Sequence, residues 1–228
     1  MNTPLPYRLV AFAVFLLAYP LSFILPAWWS WENAPLELLD NLVLAIGAVQ
    51  AIVLASRSEA PWKWLWLALV PVWIICLGRE ISWGAVLYPP TGMSEDGPEF
   101  SGKLLWYNPA VKPLVILLAL VTITLAVRFK LWRLVDPVIK IRQFPVLEVL
   151  MAGISLILMT AAERHMGMSL DAYVGIPEVF EETVELAGYM FLLAAQQRIR
   201  MASTTISAAK VNPTESGYQA SPSAGRFR

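Results

Sequence analysis

Glu178, Glu181, Glu182 and Glu185 open the last long apolar run of the chain, inside Ile-Pro-Glu-Val-Phe-Glu-Glu-Thr-Val-Glu-Leu-Ala-Gly-Tyr. Carboxylates so placed can bind a cation, hold a proton or act as general acid or base. In hydrocarbon they are costly enough to face a protein interior, a water-filled cavity or a ligand. At about 100° per residue, Glu178, Glu182, Glu185, Tyr189 and Gln196 share a stripe about 60° wide, with Glu181 at its edge. A polar line of that length suits a face turned into a bundle. Glu185 lies roughly 10 Å deeper than Glu178, about a third of the way through a hydrocarbon core. The dipole at a helix start accounts for Glu178 and Glu181, so Glu182 and Glu185 carry the case for an interior site.

Other apolar runs supply neighbours. The second begins with Glu37, Asp40 and Asn41, at the spacing of Glu178, Glu181 and Glu182; the third ends with Gly-Arg79-Glu80-Ile-Ser-Trp-Gly, and the fifth with Glu163-Arg164-His165. If these ends meet, the binding candidates are Glu182, Glu185, Glu80, Arg79, Glu163, Glu37, Asp40 and Tyr189. A guanidinium is the usual fork for carboxylate or phosphate, so Arg79 is expected to contact Glu185 or an anionic ligand. Glu163 and His165 point about 160° apart on a helix and cannot share a metal there. A metal joining His165 to glutamates of the last run stays open. The loop from Tyr88 to Asn108 lacks the alternating oxygen ligands of an EF-hand and reads as solvated.

Holding these groups takes membrane helices. The chain is 57% apolar and 15% charged, with a mean hydropathy of +0.59, far above an ordinary soluble domain. Six runs are long enough to cross a bilayer, at about 7–25, 36–55, 62–83, 110–129, 146–162 and 177–197, given the roughly 20 helical residues a crossing requires. The first has no cleavage site and reads as a retained helix. With alternating crossings, thirteen of the seventeen Lys and Arg fall on one side, the side the positive-inside rule makes cytoplasmic. The expected fold is therefore an all-α integral membrane protein, a six-transmembrane-helix bundle over 1–200 with both termini cytoplasmic and a disordered cytoplasmic tail over 201–228. Leu131 to Ile141 reads as an amphipathic segment broken at Pro137. Trp28, Trp29 and Trp31, and Trp62, Trp64 and Trp66, read as aromatic belts, with Trp83 another interface anchor. A net charge of zero and the lack of a Gly-rich phosphate loop argue against nucleic-acid binding. The single cysteine, Cys76, excludes an intrachain disulfide.

The Arg79–Gly84 run, with Glu-Glu-x-x-Glu-Leu at Glu181 to Leu186, resembles uncharacterised multi-pass bacterial inner-membrane proteins that carry an acidic-Ile-Ser-Trp-Gly signature. The resemblance implies a bacterial inner-membrane location and no particular activity. The spacing of Glu181 and Glu185 is also that of a Glu-x-x-x-Glu element in membrane undecaprenyl-pyrophosphate phosphatases, but the Pro-Gly-x-Ser-Arg-Ser segment that accompanies it there is missing.

Three functions fit these residues. The leading expectation is an outward-facing, carboxylate-rich intramembrane pocket that binds or transports a cation, a proton or a small polar solute. The second is a membrane enzyme acting on a lipid-linked anionic substrate, with Arg79 or Arg164 on the headgroup. The third is an assembly or scaffold subunit whose polar stripe packs on a protein partner. The sequence names no catalytic residue and no cofactor.

Overall fold

The structure is a computed structural model that describes residues 5–94, 97–162, 170 and 172–211. Seven α-helices account for most of it: α1 (Leu5–Ile24), α2 (Pro35–Arg57), α3 (Trp62–Glu80), α4 (Asn108–Arg128), the short α5 (Val135–Lys140), α6 (Val146–Ala162) and α7 (Pro177–Val211). Pro6–Ile24, Ala27–Arg57, Trp62–Glu80 and Asn108–Arg128 are long and apolar enough to cross a membrane, and α6 is a shorter apolar helix of 17 residues. The chain is a membrane protein of all-α architecture.

The helix that carries the acidic run is the middle of the bundle. α7 packs against α1 and α6 on one side and α2 on the other; α3 packs on α2, and α4 lies outermost against α3. The middle of α7, from Thr183 to Gln197, is almost wholly buried, so its glutamates face protein rather than lipid. Close approach comes from small residues, as is usual where helices have no hydrophobic driving force between them. Ala11 and Ala18 of α1 and Ala187 and Ala194 of α7 are buried, and Phe12 and Phe15 meet Phe191 edge-on at ring-centroid distances of 5.0 and 6.3 Å. Before α7, the amides of Gly175 and Ile176 donate to the Ser22 hydroxyl (3.0 Å) and carbonyl (2.7 Å) of α1. A Cβ on Gly175 would stand 2.2 Å from that carbonyl oxygen, so the mooring requires glycine.

At the opposite end of the bundle from the acidic run, α1, α6 and α7 are tied by charge. The Glu148 carboxylate, 0% exposed, accepts from Arg8 Nε at 3.0 Å and lies 3.4 Å from Arg198 Nη1. Arg198 also donates to the carbonyls of Gln143 and Arg142 at 3.2 and 3.3 Å. A carboxylate in the first turn of an otherwise apolar helix is itself a signal that a cation must reach it.

Several expectations are corrected. Trp62 and Trp66 are core residues, clustered with Ala55, Val138 and Ala202, while Trp64 stacks on Phe129 at 3.9 Å. Their spacing of four puts Trp62 and Trp66 on one helical face. The same cluster explains why α7 runs on through 201–211, where a disordered tail was expected: Ile199, Ala202 and Ile206 pack against it. Residues 212–228 lie outside the described residues. Pro137 does not break the amphipathic segment, because it sits in the first turn of α5, where an amide has no helical partner to lose. The loop after α3 holds a two-stranded antiparallel hairpin, Gly92–Ser94 with Gly97–Glu99, and docks through the Phe100 amide on Glu32 at 2.8 Å.

Candidate functional site

Three helix ends build the site. α2 contributes Glu37 and Asp40 in its first two turns, α3 contributes Arg79 and Glu80 in its last, and α7 contributes Glu182, Glu185 and Tyr189. Glu37 is oriented by the backbone amide of Asn33, which donates to its carboxylate. Asp40 is 0% exposed, and among the described residues neither of its oxygens has a hydrogen-bond partner; one oxygen of Glu182 is likewise buried without one. Glu182, Glu185, Glu80 and Glu37 all lie within electrostatic reach of Asp40.

Arg79 is the cation of the group. Its guanidinium pairs with Glu185, pairs with Glu80 at 2.8 Å, and donates to the Tyr189 hydroxyl at 3.2 Å. The Tyr189 oxygen also stands 2.8 Å from Glu80 Oε1 and 2.7 Å from Glu185 Oε1. A phenol carries one proton and can donate to one carboxylate. Glu80 and Glu185, both paired with Arg79, are therefore alternative acceptors for the single Tyr189 proton. Three oxygens thus stand together beside one half-exposed guanidinium.

A tight reversal sets the position of Arg79 and Glu80. α3 stops at Glu80 rather than continuing to Trp83, because Ser82, Trp83 and Gly84 take φ of 44°, 55° and 96° in succession. Such left-handed conformations cost about 1–3 kcal/mol each for residues with a Cβ. The turn folds the Trp83 ring back over Gly78, where a Cβ would meet it at 2.8 Å, and points the Trp83 carbonyl at the Tyr107 hydroxyl, 2.8 Å away. Trp83 is therefore a clamp on the end of α3 and not an interface anchor. Replacing Gly84 with alanine puts a methyl 2.8 Å from the Tyr107 oxygen at that same positive φ. Thermal unfolding of Gly84→Ala should show a loss of about 1–2 kcal/mol, and a variant as stable as the wild type would dissolve the clamp.

Beyond Tyr189 the polar line of α7 continues to Gln196. Its side chain accepts from Trp73 Nε1 at 2.7 Å and donates to the Gly47 carbonyl at 3.1 Å, linking α7 to α3 and α2. Of the residues singled out from sequence, Glu37, Asp40, Arg79, Glu80, Glu182, Glu185 and Tyr189 come together. Glu163 and His165 lie outside the described residues. Among the described residues no three His, Cys, Asp or Glu side chains gather into a metal-holding group. Sequence reasoning missed Trp73 and Gly47, whose indole nitrogen and carbonyl are unremarked within apolar runs.

Fold and site together define an all-α membrane protein with an acidic cluster that, among the described residues, gathers around Arg79. Comparison with family models, curated proteins and solved structures finds no match.

Proposed function

We propose that the chain crosses a bacterial inner membrane six times with both ends cytoplasmic, and that its outward-facing pocket binds or transports a proton or another small cation. The observation that carries this reading is Asp40: a fully buried carboxyl group that, among the described residues, has no hydrogen-bond partner at either oxygen and stands with four other acids and one arginine, Arg79. A charge held in that surrounding without a counter-ion costs several kcal/mol, so the site exists with a proton or a cation added. Glu80, Tyr189 and Glu185 form a path of adjacent oxygens along which a proton can pass, with Arg79 fixing their positions. Such intramembrane carboxylates are the usual parts of ion and proton pathways.

Infrared difference spectra of the protein in lipid, taken between acid and alkaline pH, test the proton directly. Protonated-carboxyl bands should titrate in the wild type and lose intensity in Asp40→Asn and in Glu182→Gln. Proteoliposomes carrying either variant should lose most pH-driven cation uptake. If both variants titrate and transport as the wild type does, the pocket is not the proton site.

A further inference from the structure

Between α3, α6 and α7 lies a cleft of about 400 Å³. Its polar end is formed by Arg79, Glu185 and Tyr189, and its body by apolar side chains such as Ile75, Leu156 and Met159. The rim residues Val149, Leu156 and Leu192 are exposed on the outer face of the bundle, the face that meets lipid in a membrane. The opening therefore admits a compound dissolved in the bilayer.

Two further features point to an occupant. Ser155 lines the cleft, is 1% exposed, and has a buried hydroxyl without a partner among the described residues; a buried polar group of that kind is a standing deficit that a ligand can fill. Gly153 also lines the cleft, and a Cβ there would meet no atom within 4 Å, so the space beside it is open. The charge balance selects the ligand's sign. Among the described residues, Arg79 is already shared by Glu80 and Glu185, and Asp40, Glu37 and Glu182 lie close behind. A phosphate or carboxylate headgroup would meet that surplus of acids, whereas a cation would complete it.

We propose that this cleft binds a lipophilic monovalent cation, its apolar body lying between α6 and α7 and its charge beside Glu185. The proposal rests on the reading of the acidic cluster as a cation or proton site and names the class of compound that enters it from the membrane.

Tetraphenylphosphonium and tetraphenylborate, nearly equal in shape and opposite in charge, separate the alternatives by equilibrium dialysis against the full chain in lipid nanodiscs. Tetraphenylphosphonium should bind saturably, and tetraphenylborate should only partition into lipid. Gly153→Trp, which fills the cleft without touching the acids, should weaken tetraphenylphosphonium binding at least tenfold, and Glu185→Gln should weaken it comparably. Saturable tetraphenylborate binding, or full binding by Gly153→Trp, overturns the assignment; the first outcome would mark a site for anionic lipid. Titrating carboxyl bands without saturable tetraphenylphosphonium binding overturn the ligand class and leave the proton site standing. Saturable tetraphenylphosphonium binding with no titrating carboxyl supports the cleft and removes the proton.

Discussion

Replacing both Arg8 and Arg198 with methionine should destabilise the protein by about 3–5 kcal/mol, the usual cost of leaving a buried charge without its partner. Glu148 is wholly enclosed, and the described contacts of its carboxylate are with these two guanidiniums. Both arginines are about a quarter exposed, so each reaches water while Glu148 does not. Adding Glu148→Leu to the double variant should recover most of the loss, because a well-packed apolar side chain replaces a buried ionic group at little or no cost. Reversible unfolding in detergent micelles measures all three proteins. A double variant as stable as the wild type would show that the three charges are not a strut between α1, α6 and α7.

The second large effect is expected at Gly47. A Cβ there would stand 2.7 Å from two ring atoms of Trp73, too close for any side chain. Gly47→Val should push the indole aside, breaking the Trp73 to Gln196 hydrogen bond and disturbing the one from Gln196 to the Gly47 carbonyl. Overpacking costs about 1–3 kcal/mol, and a buried polar group left unsatisfied about 1–3 kcal/mol more. A fall in unfolding free energy of about 3 kcal/mol or above is expected, with Trp73 fluorescence shifted by its new surroundings. Gly153→Ala is the contrasting case: with open space beside it, alanine should be neutral or add up to about 1 kcal/mol through helix propensity. Equal behaviour of the two variants would mean that Gly47 is not a close contact.

How far the sequence reached depends on the kind of signal. Apolar runs announce helices directly, since the bilayer leaves the backbone few other ways to satisfy its hydrogen bonds. The inward direction of Glu185, Tyr189 and Gln196 was also legible, because carboxylate, phenol and amide recur at helical spacing on an otherwise apolar surface. The arrangement of the helices was not. Both α2 and α4 are long apolar runs, yet no residue of α4 is buried among the described residues and it touches mainly α3. The end of α3 was misplaced because Ser82 and Trp83 adopt left-handed angles that their residue types disfavour; only Gly84 hinted at the turn. The continuation of α7 was missed for the opposite reason. Its Ser, Thr and Ala resemble a linker until the contacts of Ala202 and Ile206 are known, and tertiary packing supplies the stability that propensity lacks.

The central place of α7 also orders events during biosynthesis. It is C-terminal to every helix it binds, so α1, α2, α3 and α6 leave the ribosome before the element that joins them. During that interval Arg79 lacks Glu185, Glu148 lacks Arg198, and Trp73 lacks Gln196. The unfinished chain thus carries these polar groups without their final partners, and α7 is the keystone on which the other helices close.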